Sequence, residues 1–423
     1  MRTLAPALPF FFYALWLLAV PMEGPLLIIG GASGASLWFL LTHVTTLLLC
    51  GKFASTQWLE KPARWGMMLC ALLTFALYLY PNMAMALLLL LGTAAAPMTI
   101  KSAMALRAAA HPVRTAAWCL VLSNMILAFL HQTPSFAGWP VLYAILPLLT
   151  LYRPPPVEHA FQANPPLAWE YLPVVFIFQV VSGLMYAFLF PLYDAFAVIH
   201  GVELMFYMLA VLGAVALYRR NRDLLLVAGL ALGMAAFGLL QLGETTAINL
   251  GMFAMMAAAG CIDLFLLALL LQSSRPVASF GFGLAALTGG IAAGQILSLL
   301  LGDRAATVGL AGSMVLNVAA LTLFLRHHYG TKKPVVGTPA KSAVTIPAEL
   351  AAQLTERELH VLELVLKGLN FREAAEQLSI SESTIKTHMK RIYDKFGVTG
   401  RRQLLVLLAR QSGDLSHPET TAP

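Results

Sequence analysis

Leu354 to Leu405 reads LTERELHVLELVLKGLNFREAAEQLSISESTIKTHMKRIYDKFGVTGRRQLL, and its helix-start and helix-stop residues divide it into four short helices. Thr355 followed by Glu358 forms a capping box, in which hydroxyl and carboxylate satisfy amides that a first turn leaves without partners. That helix runs to Lys367 and stops at Gly368. Asn370 with Glu373 opens a second helix ending near Leu378, and Ser381 caps a third that ends at Gly397 after Phe396. Thr399 precedes a fourth, through Arg410. Four short helices with tight turns make a compact bundle, and its second and third form a helix-turn-helix.

Spacing on the third helix separates its faces. At about 100° per residue, Ile385, Met389, Ile392 and Phe396 share a buried stripe, while Ser383, Lys386, Thr387, Lys390 and Asp394 point away from it. Two lysines and a threonine near the start of that outer face suit a helix that enters the major groove with its N-terminal half. Lysine donates to guanine O6 and N7, and the threonine methyl meets that of thymine. For this helix alone a solvated charged face would serve as well; the surrounding pattern favours the groove.

The whole stretch resembles the LuxR-type helix-turn-helix, carried by Ser381, Thr384, Ile385, Lys386, His388, Ile392, Lys395, Gly397 and Val398. The resemblance implies that Lys386, Thr387 and Lys390 face base edges, and that Thr384, His388 and Arg391 lie near the DNA backbone or support the fold. It implies double-stranded DNA as partner and a homodimer on it, with Leu404, Leu405 and Leu408 of the fourth helix as dimerisation candidates. Part of that apolar surface must also serve the module's own core. RNA polymerase is a further candidate partner. Departures from the family pattern are Phe371, where a basic residue is common, and Ala374, where Ile is usual.

Upstream the solvent changes. The chain of 423 residues is 59% hydrophobic and 11% charged, against roughly 25% charged in soluble domains. Residues 1–325 hold 13 basic and 10 acidic side chains, whereas residues 326–423 alone hold 14 and 10. A span needs about twenty mostly apolar residues, and the candidates are 4–22, 33–51, 65–81, 83–101, 113–131, 136–152, 171–191, 196–218, 223–243, 247–272, 279–301 and 306–326. The fold class expected is all-α: a twelve-helix transmembrane bundle, six plus six (1–152 and 171–326), followed by a four-helix DNA-binding domain at 348–410. Arg2 ahead of Leu4–Val20 could mimic a secretory signal, but further spans follow at once, which favours an uncleaved first helix.

His327 to Pro347 lacks apolar periodicity and holds three prolines and three lysines, the composition of a flexible linker. Residues 411–423 are expected to be a disordered tail. Two sets of six helices around a central loop resemble the major facilitator superfamily in architecture. The loop Gly51–Arg64 lacks that family's Asp-Arg core, and Tyr218–Asp223 keeps basic charge without the full motif. That puts transport activity in doubt without touching the fold.

Polar residues at membrane depth mark function or interhelical bonding. Asp263, Glu203 and His200 form the candidate ligand or proton site, facing an unidentified small-molecule or membrane signal. His43, Asn124, Gln179 and Gln295 fit interhelical hydrogen bonds better. The glycine pairs Gly229/Gly233 and Gly290/Gly294 fit close packing of helices. Cys50, Cys70, Cys119 and Cys261 lack metal-ligand spacing and read as packing residues. No metal, cofactor or catalytic residue set is expected. The functional expectation is a membrane-integrated transcription regulator; rivals are a transporter with an appended regulatory module, a ligand-free anchor, and a regulator freed by proteolysis.

With the N-terminus in the cytoplasm, inner loops and ends carry Arg2, Lys52, Lys61, Arg64, Lys101, Arg107, Arg114, Arg153, Arg219, Arg220, Arg222, Arg275 and Arg326, and outer loops only Arg304. That positive-inside bias predicts an inner-membrane protein with both termini cytoplasmic. Cysteines introduced near Arg220 should resist an impermeant thiol reagent in intact cells, while those near Asp303 should react. Labelling near Arg220 would overturn this topology.

Overall fold

The computed structural model describes residues 5–22, 35–132, 139–152, 169–199, 201–302, 304, 311–312, 314–319, 321–322, 346–366, 369, 371–378, 380–398, 400, 403–404 and 407–408. Among them the architecture is all-helical, with no strand. The chain divides into two compact units, Met1–Tyr329 and Gly330–Pro423. Most of the expected linker, the central stretch 153–168 and the tail lie outside the described residues.

In the first unit the helices are α1 (Leu8–Ala19), α2 (Ser36–Phe53), α3 (Thr56–Leu79), α4 (Ala84–Ala105), α5 (Pro112–Gln132), α6 (Trp139–Leu149), α7 (Leu172–Phe196), α8 (Val202–Arg220), α9 (Arg222–Leu240), α10 (Thr245–Leu271) and α11 (Pro276–Leu301). Eight are long and apolar enough to cross a bilayer, nine with the bent α7, and α1 and α6 belong to shorter apolar helices. The expected last span falls largely outside the described residues, which are helical at 311–312, 314–319 and 321–322. The third helix starts at Thr56, well before the expected 65, because the Ser55 hydroxyl caps it by accepting from the Trp58 amide at 3.1 Å. The added turns carry Glu60, which takes Lys101 of α4 at 2.6 Å.

Contacts between the halves run chiefly through α2 against α11 and α5 against α8, with α5 against α10 and α4 against α11 beside them. Glycine sets the first: a Cβ on Gly281 would lie 2.5 Å from the Gly51 Cα, so that position takes no side chain without separating the helices, and one on Gly51 would be tight at 3.2 Å. Gly290 and Gly294 of α11 likewise meet backbone carbonyls of α7 at Phe176 and Val180, which is the close packing expected of that pair. α7 bends by 46° between Met185 and Leu189. Pro191, which cannot donate to the carbonyl four residues earlier, accounts for the break.

The second unit contains α12 (Ala348–Ala351), α13 (Glu356–Leu366), α14 (Phe371–Gln377) and α15 (Glu382–Phe396). The expected fourth helix of the module is described only at 403–404 and 407–408, which are helical. Val361, Leu362, Val365, Ala374, Ile385, Met389 and Ile392 build a core of their own with Leu404 and Leu408. Ser381 caps α15 by accepting from the Thr384 amide at 3.2 Å. Gly397 ends it in the left-handed region at φ 63°, and the Val398 amide reaches back to the Tyr393 carbonyl, the Schellman closure.

One carboxylate ties this unit together. Glu358 Oε2 accepts from the Thr355 amide at 2.9 Å and from Lys395 Nζ at 2.7 Å, and Lys395 also donates to the Gln353 carbonyl. The capping box of α13 is thereby fastened to the end of α15. Lys395 first, then the Thr355 amide, hold the Glu358 carboxyl well below the ordinary range, at about 2. A value depressed in the folded state gives stability that is complete above about pH 4.5 and is lost as the pH falls toward about 2. Glu358→Gln should therefore cost the isolated 346–423 fragment about 1 kcal/mol at pH 7. In urea melts the gap to wild type should narrow at pH 3; an equal gap at both pH values would show that the ionised carboxylate is not what matters.

Candidate nucleic-acid interface and intramembrane polar cluster

α15 presents its two faces as its spacing requires. Ile385, Met389 and Ile392 are buried and Phe396 half-buried, while Lys386, Thr387, Lys390 and Arg391 are exposed. Lys386 Nζ pairs with Glu382 Oε1 at 2.7 Å, one turn back on the same exposed face. Such a pair is worth little in water, so it parks the lysine without locking it. Thr387 donates its hydroxyl to the Ser383 carbonyl, which leaves its methyl to the outer face. Thr384 belongs to the cap, its hydroxyl 2.7 Å from that of Ser381. His388 is half-buried with Nδ1 enclosed, at the flank of the exposed face. Lys386, Thr387 and Lys390 thus share one surface, bordered by Thr384, His388 and Arg391.

The dimerisation candidates fare differently. Leu404 and Leu408 are at most 1% exposed and complete the module's own core, so as placed they pack internally instead of offering a surface. Leu405 lies outside the described residues.

In the membrane unit, Asp263 of α10 sits where three helices meet. Its Oδ2 accepts from the Tyr207 hydroxyl of α8 at 3.0 Å, and its Oδ1 from Gln179 Nε2 of α7 at 3.4 Å. Glu203 is not part of that cluster. It accepts from the Tyr193 hydroxyl at 2.9 Å, near the turn between α7 and α8 that Asn249 holds through the Val198 amide and the Phe196 carbonyl. Asp263 and Glu203 thus make two separate tyrosine–carboxylate contacts, one turn apart along α8. His200 lies outside the described residues. His43 bonds the Gly92 carbonyl and approaches Thr99, Gln295 donates to Ser36, and Asn124 returns to its own helix at Leu120. Tyr207, Tyr193 and Asn249 carried no sequence signal, because a tyrosine or asparagine in an apolar helix does not name its partner.

Residues 352–408 match the family described as "Bacterial regulatory proteins, luxR family". The spore germination protein GerE of Bacillus subtilis is 42% identical over 57 residues, which are 14% of this chain and 77% of GerE. The chain belongs to the luxR family of bacterial regulatory proteins. Bacillus subtilis also has an uncharacterized transcriptional regulatory protein, YxjL, 45% identical over 62 residues, 15% of this chain and 28% of YxjL. The likeness to such regulators is confined to this module, and the chain spans only 28%, 30% and 43% of three curated relatives it matches.

The membrane unit has its likeness elsewhere. The crystal structure of a bacterial homologue of the iron transporter ferroportin, outward-facing with soaked iron, superimposes with a TM-score of 0.55 at 15% identity, over 76% of this chain and 98% of that one. A second structure of that homologue gives 0.51 over 77% and 98%. At that identity the likeness is one of fold alone: the first unit shares the helical fold of that homologue. The chain therefore joins a DNA-binding luxR-type module to a multi-pass membrane unit of that fold.

A lysine on a base edge discriminates sequence by roughly 1–3 kcal/mol, whereas a phosphate contact weakens all sequences alike. Lys386→Ala should therefore lower affinity for the operator far more than for random DNA. Arg391→Ala should lower both about equally and flatten the salt dependence by about one unit of slope. Fluorescence anisotropy at several salt concentrations separates the two, and equal losses for Lys386→Ala would reduce that lysine to a positioning role.

Proposed function

We propose that the chain is a one-component transcription regulator whose twelve-helix membrane unit senses a signal and controls the DNA-binding module directly. The observation that carries this reading is the joining of a luxR-type module to a transporter-like helical unit in one chain. The positive-inside pattern supports an inner-membrane protein with both ends cytoplasmic, where DNA is. Each module neutralises few phosphates, so two acting together as a homodimer bind much more tightly than one. Signal binding biases the bundle between states, and the cytoplasmic face then releases, pairs or orients the modules, with RNA polymerase as a downstream partner. The reading contains no catalytic step.

Asp263 is the residue assigned to signal response. Three helices converge on its carboxylate through neutral donors, so a shift of α7, α8 or α10 changes its hydrogen bonds at once. A second reading, a working transporter with an appended regulatory module, is favoured by the fold of the membrane unit. Substrate flux in proteoliposomes distinguishes it.

Genome-wide mapping of crosslinked DNA, wild type against a deletion of residues 348–423, should give discrete promoter sites lost in the deletion. With those promoters as reporters, Asp263→Asn should alter the response to signal while the set of mapped promoter sites stays that of the wild type, since the substitution lies far from the DNA-binding module in sequence and in a separate unit. An unchanged response would return Asp263 to a packing role, and an absence of mapped sites would sink the regulator reading.

A further inference from the structure

Between α7 and α10 lies a cavity lined by Met185, Met252, Met255, Met256, Ser182 and Ala259, among others. On α10 the three methionines and Ala259 follow one another at i, i+3, i+4 and i+7, a single helix face. Ser182, Met185 and Leu189 do the same on α7, and Met185 and Leu189 flank its bend. All four methionines are at most 6% exposed. The cavity has room for about one water-sized particle, too little for an organic ligand unless the side chains move.

From these observations we infer a binding site for a soft monovalent metal cation of the Cu(I) class. Thioethers are soft, neutral donors that select such an ion over hard divalent cations. The donors gathered here are the thioethers of Met185, Met252, Met255 and Met256, from two helices. The ion's charge also has a counterpart. Asp263 lies on the same face of α10, about 10–16 Å along the axis from the three methionines, and Gln179, which donates to Asp263, precedes Ser182 on the matching face of α7. A cation in the cavity would lie in the field of that carboxylate, in a medium where charges are weakly screened. Binding involves no change of oxidation state, and the site stands independently of the regulator reading.

Methionine also serves as a plain gap-filler, and Leu separates the two roles because it conserves volume and burial without a donor sulfur. The purified full-length chain, with the free thiols Cys50, Cys70, Cys119 and Cys261 changed to Ala in every sample, is titrated in detergent micelles with Ag(I), the redox-inert counterpart of Cu(I). Wild type should bind it, and the combined Met185→Leu, Met252→Leu and Met256→Leu variant should bind at least about tenfold more weakly. A control with Met67→Leu and Met98→Leu, both buried in the first half, should bind as wild type does. Should the combined variant fail to fold, Met252→Leu and Met256→Leu singly take its place with the same expectation. Silver bound equally by the cavity variants and wild type, loss shared by the control, or no binding by wild type would each overturn the site.

Discussion

A bilayer offers the backbone no water, so every amide and carbonyl within it must be satisfied by the chain itself. The all-helical membrane unit follows from that constraint, and so does the scarcity of charge along it. Long helices close their own backbone bonds, and what remains is how they approach one another. With no hydrophobic drive between helices in lipid, close approach depends on small residues. Gly51 against Gly281, Gly66 against α4, Gly92 against α2, and Gly290 and Gly294 against α7 are places where the backbones come close.

The same constraint gives weight to each polar side chain left inside. Trp16 finds Thr74, His43 finds Gly92, and Asp263 finds Tyr207 and Gln179. Most of these bonds join two helices and read as fastening. Asp263 differs because it draws donors from two other helices at once, and because the methionine-lined face of α10 leads to it. A site that several helices share can register their relative movement, which a bond within one helix cannot do.

The DNA-binding module lives in the other solvent and is held by other means. Its core is small, and small cores depend on well-made helix ends. Glu358 answers that need twice, capping α13 and anchoring Lys395 from α15. The anchored end leaves the outer face of α15, with Lys386 and Lys390, to be presented as a rigid surface.

The sequence by itself determined the class of each element, because solvent is written in composition and helix ends in local chemistry. Ser381, Gly397 and the stripe Ile385–Met389–Ile392 are local signals, acting within a turn or two, and the structure places them as their spacing requires. Among the described residues eight of the expected spans, nine with the bent α7, are helices long and apolar enough to cross, and two more are shorter apolar helices. Ser55, a cap mistaken for loop, is a local signal that was there to be found. What only the tertiary structure decided is pairing. That Asp263 meets Tyr207 and not Glu203, that Leu404 and Leu408 turn into their own core, and that four methionines from two helices face one cavity depend on how distant segments pack. An apolar helix has no strongly preferred face in its pattern, so its sequence cannot say which neighbour each side will meet.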